Sequence, residues 1–269
     1  MNKTLIVILL IMLSFPAYAG RARFNKTGKE FTENDTIAEI RFGRNLAARI
    51  LGKYKLWDNQ KASDYVRIVG TGLISNLGRT DLRFIFAVLD TQDINAYAIP
   101  GGYIIITRGA LEAMDNEAQL AGVLAHEIAH INQRHIVNRL KIRGDSNAFL
   151  SSISIAAAGG AVSGMKVVNE MIDEAVDILF ESGIEKKFEI SADVEAIQML
   201  VAVGYDWKDY TNYLKKLDQL IYKKQQEIVS KTHPSVEERL DKINFAANES
   251  GIMDYSGKKH QKRFHEYIK

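Results

Sequence analysis

Two histidines and a glutamate lie within five consecutive residues, in the string HEIAH that runs from His126 through Glu127 to His130. On a helix, residues four apart lie one above the other, so His126 and His130 can both present an imidazole nitrogen to one metal ion. Glu127 is rotated by about 100° from His126, which places its carboxylate beside the metal and not on it. This spacing predicts a hydrolytic zinc site with one ion per chain, in which Glu127 is the general base.

The string could instead be a helix with two histidines that face solvent or a polar pocket, because HExxH arises by chance about once in a hundred chains. Apolar residues surround it, however: Ala125, Ile128, Ala129 and Ile131. They indicate that the helix is buried there, and buried imidazoles and carboxylates need partners. The pattern therefore favours the metal site.

A catalytic zinc also needs a third protein ligand, which the string itself does not supply. Positions 133 and 136 are Gln and Ile, so the third histidine of an HExxHxxGxxH motif is absent. Spacing alone leaves six later carboxylates open as the ligand: Glu170, Glu174, Glu181, Glu185, Glu189 and Glu195.

Glu189 differs from the other five because it shares a helical stripe with Asp193, and this stripe turns apolar downstream. A carboxylate on a core-facing stripe needs a cation or hydrogen-bond donors. Asp193, one turn later, could accept a hydrogen bond from the second nitrogen of a ligand histidine. A buried ion pair with a lysine or arginine is the alternative, and the residue pattern leaves both open.

The elements that must position these residues are predicted to be mostly helical. Strands are predicted at residues 82–89 and 103–107, which are short and rich in aliphatic residues. Between them, Pro100 fixes φ and Gly101 permits a positive φ, so residues 95–102 are predicted to form a tight turn. Helices are predicted at residues 36–54, 63–77, 115–142, 169–181 and 186–203, with a last helical group ending near 248. Asp115 or Asn116 can cap the third of these helices, and a break is predicted at Gly183. Few, early strands and many helices predict an α+β protein that is mainly helical.

Several remaining features are expected to be structural. Residues 144–164 are rich in Gly, Ser and Ala, which predicts tightly packed small-residue helices, with a mobile lid over a cleft as the alternative. His135 lies too far round the predicted helix to share the metal face, so we expect it at the surface. His260 and His265 belong to a basic tail that is expected to be solvated.

The composition and the first residues concern the compartment and the partners of the protein. With 35 basic and 33 acidic side chains, the net charge is +2, so nothing argues for nucleic acid as a partner. Residues 1–19 have the pattern of a secretory signal peptide cleaved before Gly20, which leaves 20–269 as a single domain. An uncleaved anchor at residues 5–15 is the alternative. The absence of cysteine excludes disulfides and a lipid-attachment cysteine.

Four strings occur in an order that resembles a known family. They are NAYAIPGG at 95–102, HEIAH at 126–130, EISAD at 189–193, and His233-Pro234-Ser235 followed by Arg239. Together they cover about residues 90–240 and resemble the gluzincin metallopeptidases of the forty-eighth family. This group includes HtpX, the CAAX prenyl proteases and the periplasmic BepA and LoiP proteins. The resemblance implies a zincin-like fold with a small sheet beside the active-site helix.

The same resemblance implies individual roles. Glu189 becomes the third zinc ligand, and Asp193 lies behind a ligand histidine. His233 and Arg239 would approach the open side of the metal, where His233 either polarises the scissile carbonyl or blocks the water position in a latent state. When the resemblance is set aside, Ser235 and Glu238 have the spacing of a capping box, so His233 could simply precede a helix. Residues expected to line the substrate cleft are Asn95, Ala96, Tyr97, Gly101 and Gly102.

Taken together, the sequence predicts an exported, periplasmic zinc metalloendopeptidase. Its substrate cannot be inferred from the residues alone, but the resemblance to the periplasmic members of the family implies unfolded or misassembled envelope proteins. In the expected mechanism Glu127 takes a proton from a zinc-activated water and returns it to the leaving nitrogen. The outer-membrane protein assembly machinery is a possible partner, and contact with the membrane is expected to be peripheral at most. The alternative is an envelope chaperone or assembly factor whose metal site is latent or structural.

Overall fold

Two amphipathic helices begin the described part of the chain. The computed structural model describes residues 31–77, 79–144, 162–224 and 235–269. Helix α1 spans Glu33–Leu51 and helix α2 spans Gln60–Leu77, close to the helices predicted at 36–54 and 63–77. Thr32 caps α1, because its side chain accepts a hydrogen bond from the Asp35 backbone amide and the Asp35 carboxylate accepts one from the Thr32 backbone amide.

A three-stranded sheet follows the two helices. Strand β1 spans Ile85–Leu89, β2 spans Ala96–Ile99 and β3 spans Tyr103–Thr107. The strand order is β1-β3-β2, in which β3 pairs parallel with β1 and antiparallel with β2. The α+β, mainly helical class is confirmed, and β3 has the predicted bounds. Within the described residues β2 is an edge strand of this sheet.

The interpretation of residues 95–102 as a turn alone is wrong, because four of these residues form strand β2. The turn itself is confined to residues 100–102, where Gly101 has φ 81° and Gly102 has φ 96°. Helix α1 holds this turn from one side. A Cβ on Gly43 would lie 1.7 Å from the Pro100 carbonyl oxygen, and Glu39 Oε1 accepts a hydrogen bond from the Gly101 amide at 3.2 Å. Only glycine at position 43 therefore allows the helix and the turn to approach this closely.

The helix that carries HEIAH is shorter than predicted. After the short helix α3, Arg108–Ala113, helix α4 spans Glu117–Asn132 and is capped by Asn116, as predicted. It does not continue to residue 142, because Arg134 adopts a left-handed conformation with φ 55° and a separate helix α5 begins, at His135–Arg139. A left-handed residue reverses the backbone direction and ends the hydrogen-bond ladder of an α-helix.

Five further helices follow in the described residues, and two of them cover α4. The bounds are Val162–Asp177 for α6, Lys186–Ala202 for α7, Trp207–Lys224 for α8, Val236–Glu249 for α9 and Gln261–Ile268 for α10. Helix α6 continues as a π-helical turn, Ile178–Ser182, before the predicted break at Gly183, which has φ 70°. Helices α7 and α8 pack along α4, whose side chains are almost all buried.

The basic segment near the carboxyl end is only partly solvated. His265 is exposed, as predicted, but the segment as a whole is docked on the core. It forms helix α10, which buries Phe264 and Ile268 in the main core. The Arg263 guanidinium donates to the Glu117 carboxylate, with Nε 2.6 Å from Oε2, and Tyr65 and Tyr205 donate their hydroxyl groups to the same carboxylate. Glu117 is fully buried at the start of α4, so these donors compensate the loss of its hydration.

We predict that Phe264→Ala lowers the free energy of unfolding by about 3–5 kcal/mol, because a fully buried aromatic ring leaves a cavity when it is removed. Urea unfolding followed by circular dichroism measures this change. Lys262→Ala, on the exposed side of the same helix, is the matched control and should change stability by no more than about 0.5 kcal/mol. Equal effects of the two substitutions would contradict the docking of α10.

Some predictions concern residues outside the described ranges. They are the signal peptide at 1–19, His233, and most of the segment 144–164. The described residues between 32 and 269 belong to one compact unit. No helix in the described part of the chain is long and apolar enough to cross a membrane.

Candidate metal centre

Three buried side chains from two packed helices converge on one point. Helix α4 contributes His126 and His130, and helix α7 contributes Glu189. His126 Nε2 lies 3.0 Å from His130 Nε2 and 3.6 Å from Glu189 Oε2, and His130 Nε2 lies 3.5 Å from Glu189 Oε1. Among the described residues, these three form the group of His, Cys, Asp or Glu side chains that could hold a metal ion.

The donor set fits zinc. Two ligand atoms that each lie about 2.05 Å from a tetrahedral zinc are separated by about 3.3 Å, and the three observed distances of 3.0, 3.5 and 3.6 Å bracket this value. Two imidazoles and one carboxylate are also the ligands of a known class of catalytic zinc sites, which leave a fourth position for water. Burial of all three side chains excludes competing water from the ligands.

Glu127 is placed differently from its neighbours. Every other residue from Leu124 to Ile131 is buried, whereas Glu127 is partly exposed and shares a face with the partly exposed Val123, one turn earlier. Strand β2 packs along α4. Burial raises the pKa of the Tyr97 hydroxyl on β2, and the negative charge of nearby Glu127 adds to the shift. The Glu127 carboxylate is therefore partly accessible and lies in the neighbourhood of strand β2.

An ion-pair network fixes His126 from behind. His126 Nδ1 lies 2.9 Å from Asp193 Oδ1, within hydrogen-bonding distance. The Arg239 guanidinium donates twice to Asp193, from Nε at 2.8 Å and from Nη2 at 2.7 Å, and the Tyr210 hydroxyl donates at 2.7 Å. Burial opposes the charge on Asp193, but Arg239 holds the pKa of its carboxyl well below the usual range. Burial likewise opposes the charge on His126, yet Asp193 and Glu189 raise its pKa to about 10.

The structure brings Arg239 toward the site, but its nitrogen atoms face Asp193. The nearest of them to a proposed ligand is Nη1, 4.0 Å from Glu189 Oε2. Tyr210 also accepts a hydrogen bond from Arg239 Nη2 at 3.0 Å. The guanidinium therefore donates its hydrogen bonds to Asp193 and Tyr210, which lie behind the proposed ligands. The catalytic role of Arg239 expected from the family resemblance stays a prediction.

The expectation that His135 lies at the surface is wrong. Its side chain is 1% exposed, and its Nδ1 lies 2.9 Å from Nδ1 of His130. The left-handed Arg134 turns the chain back after α4, so His135 comes to lie directly behind a ligand histidine. Burial lowers the pKa of the His135 imidazole to about 4. The spacing of five residues between His130 and His135 did not predict this contact, because on an uninterrupted helix the two side chains would point in different directions.

The other carboxylates that spacing left open do not meet the histidines. Glu170, Glu174 and Glu181 lie on exposed positions. Glu185 forms surface ion pairs with an arginine and a lysine. Glu195 accepts hydrogen bonds from the side-chain amides of Asn132 and Gln133, at 2.6 and 2.7 Å. Of the six candidates, Glu189 is therefore the one that the structure places with the two histidines.

The predicted cleft residues lie along strand β2 and its turn. Asn95 is exposed, and its side chain accepts a hydrogen bond from the Ala96 amide at 2.8 Å. Tyr97 is buried and stacks on Phe180 of the π-helical turn, with ring centroids 4.4 Å apart. Gly101 and Gly102 lie in the turn at the other end of the strand. The structure thus places these residues along one sheet edge, and their contact with substrate stays a prediction.

Two histidines on one helix, a carboxylate from a second helix and a neighbouring sheet edge have the arrangement expected of a zincin-type metallopeptidase site. Comparison with known proteins agrees with this class. Residues 60–246 match Peptidase family M48, and the chain belongs to this family. The expected family and the class of metalloendopeptidase are thereby confirmed.

Relatives in this family come from bacteria and from mitochondria. The chain is 27% identical to the beta-barrel assembly-enhancing protease of Escherichia coli over 221 residues, which cover 80% of this chain and 45% of the relative. It is 29% identical to the protein of that name from Yersinia pestis over 197 residues, covering 70% and 39%. It is 24% identical to the mitochondrial metalloendopeptidase OMA1 of Schizosaccharomyces pombe, covering 86% and 65%. The chain therefore spans less than half the length of these bacterial relatives.

Proposed function

We propose that the protein is a zinc-dependent endopeptidase, with zinc held by His126, His130 and Glu189. The observation that carries this proposal is the buried triangle of their side-chain atoms, with the partly exposed Glu127 beside it. Membership of Peptidase family M48 supports a metal-dependent peptidase, and the ligand distances support zinc.

Each residue of the site has a separate role in the proposed reaction. When bound, zinc polarises a carbonyl oxygen and lowers the pKa of a water ligand to about 7. Glu127 accepts a proton from the attacking water and later donates it to the leaving nitrogen. Asp193 holds the imidazole of His126 in the orientation that directs Nε2 at the metal, and Arg239 holds Asp193. His233 is proposed to stabilise the developing negative charge on the substrate oxygen, or to block the metal in a latent state.

Strand β2 supports a substrate in an extended conformation. Within the described residues this strand is an edge of the sheet and runs beside α4, so a peptide could pair with it next to Glu127. An extended peptide is available in an unfolded protein but not in a compact one. This favours unfolded or misassembled proteins as substrates, with Asn95, Ala96, Tyr97, Gly101 and Gly102 at the cleft.

The cell envelope is the proposed place of action. The pattern of residues 1–19 supports export with cleavage before Gly20, and residues 20–269 are proposed to form a single peptidase domain. Two relatives are named beta-barrel assembly-enhancing proteases, which supports outer-membrane proteins and their assembly machinery as substrates and partners. The balanced charge offers no support for nucleic acid as a partner.

Zinc content and cleavage of casein, measured on the same purified protein, test this function. We expect one zinc per chain, and casein cleavage that a chelator abolishes and added zinc restores. Glu189→Gln should weaken zinc binding by at least the 10–100-fold seen when a ligand's hydrogen-bond partner is lost, and should lose cleavage with it. Glu174→Gln, an exposed carboxylate on α6, is the matched control and should behave as wild type.

Two outcomes would contradict the proposal in different ways. A protein that cleaves casein without metal would exclude the zinc mechanism. A protein that binds zinc and prevents aggregation of an unfolded protein, but never cleaves it even as His233→Ala, would instead support the chaperone or assembly factor.

A further inference from the structure

The side-chain amide of Gln133 has a single possible orientation. Its Nε2 lies 3.1 Å from the Ser191 carbonyl oxygen and 2.7 Å from Glu195 Oε2, and both of these atoms can only accept hydrogen bonds. The amide nitrogen is therefore on that side, and the amide oxygen Oε1 lies on the other side, 3.1 Å from His135 Nε2. An amide oxygen is only an acceptor, so His135 Nε2 must carry a hydrogen.

The Ser191 hydroxyl leads to the same conclusion. Its oxygen lies 3.3 Å from His135 Nε2, and its one hydrogen is donated to the Phe188 carbonyl at 3.0 Å. The Ser191 hydroxyl can thus only accept a hydrogen bond from His135 Nε2. Two acceptors from independent residues face the same imidazole nitrogen.

The opposite nitrogen of His135 then has a defined role. A neutral imidazole has one donor and one acceptor nitrogen, so a hydrogen on Nε2 makes Nδ1 an acceptor. His135 Nδ1 lies within hydrogen-bonding distance of His130 Nδ1, at 2.9 Å, so His130 Nδ1 must be the donor. With its hydrogen on Nδ1, His130 directs the lone pair of Nε2 toward His126 and Glu189, as a metal ligand requires.

The two ligand histidines thus have different supports. His126 is backed by a carboxylate, Asp193, which is the common arrangement in metal sites. His130 is backed by a second imidazole, which is fully buried and packs in a tilted arrangement against Phe188, with ring centroids 4.5 Å apart. A neutral acceptor orients the ring without adding negative charge to the site.

We propose that His135 is a positioning residue of the metal centre, which fixes the tautomer and the ring orientation of His130. Gln133 and Ser191 in turn fix the tautomer of His135, and Glu195 fixes the amide of Gln133. This inference rests on the proposed metal site, and extends it to residues that do not contact the ion. It links the end of α4 to α7 through one continuous set of hydrogen bonds.

Zinc affinity, measured by competition with a chromophoric chelator, is the first test. His135→Leu removes the acceptor and should weaken zinc binding by about 10–100-fold. His135→Asn keeps an oxygen that can accept from His130 Nδ1, and should recover most of this loss. His265→Leu, an exposed histidine on α10, is the control and should leave the affinity unchanged. Thermal unfolding of each variant without metal shows which of them are folded.

Nitrogen-15 NMR of the imidazoles in the metal-free protein is the second test. We expect the hydrogen of His130 on Nδ1 in the wild type and in His135→Asn. In His135→Leu we expect it on Nε2, the tautomer preferred by a free histidine side chain. This readout does not depend on activity, so it separates failure of this inference from failure of the proposed function. Unchanged zinc affinity of a folded His135→Leu, or a hydrogen on His130 Nε2 in the wild type, would overturn the assignment.

Discussion

Replacing Glu127 with glutamine is expected to lower the rate of peptide cleavage by about 10²–10⁴-fold, the usual contribution of a general base. Glutamine has the same shape but cannot accept the proton of the attacking water. Zinc content should remain at one ion per chain, because Glu127 lies beside the three ligands and is not among them. Cleavage of casein and metal content of the same sample measure both effects.

Two further variants help to interpret the result for Glu127→Gln. His126→Ala removes a ligand and should lose both zinc and cleavage, so it separates loss of the base from loss of the metal. Glu174→Gln makes the same chemical change at an exposed position and should retain full activity. A fully active Glu127→Gln protein would rule out the general-base mechanism.

Replacing Arg239 with alanine is expected to lower the free energy of unfolding of the metal-free protein by about 3–5 kcal/mol. The guanidinium makes two hydrogen bonds to Asp193, which is 0% exposed, so its loss leaves a buried carboxylate with a much weaker set of partners. Urea unfolding in the presence of a chelator measures the change without any contribution from zinc.

The matched control is an arginine whose ion pair is exposed. Arg67 pairs with Asp64 at 2.8 Å, and both side chains are largely exposed, at 58% and 43%. Arg67→Ala should therefore change stability by only about 0–1 kcal/mol. If Arg239→Ala were equally mild and yet abolished cleavage, Arg239 would act on the substrate and not through Asp193.

The regular parts of the structure were predictable because their signals are local. Asn116 caps α4 as expected, β3 has the predicted bounds, and α7 ends one residue before the predicted helix. The stripe formed by Glu189 and Asp193 pointed toward the interior, and both side chains are buried near the histidines. Periodicity and capping residues carry this information within a few turns of chain.

His135 and strand β2 were missed for two different physical reasons. The end of α4 depends on a left-handed arginine and on contacts with Glu195, about 60 residues away, and neither is visible in the local pattern. For residues 95–102, Pro100 and Gly101 predict a turn. Ala96–Ile99 nevertheless forms a strand, because it pairs with the neighbouring β3. Both errors concern the part of the site that tertiary contacts determine.

The basic tail is docked on the core and not wholly solvated, although His265 is exposed as predicted. Phe264, Tyr267 and Ile268 recur at helical intervals, which was the signal available for a docked amphipathic helix. The partner of Arg263, in contrast, is Glu117, which lies 146 residues earlier. No local pattern can identify an ion pair over that distance.

The partners of Glu117 also bear on the rates of folding and unfolding. They lie 52, 88 and 146 residues away in the sequence, so each hydrogen bond closes a long loop. Long loops carry an entropic cost that must be met before the contact forms, so we expect this network to form late in folding. Interactions that form after the rate-limiting barrier slow unfolding more than they speed folding. We therefore expect this network to raise the barrier to unfolding at the start of α4.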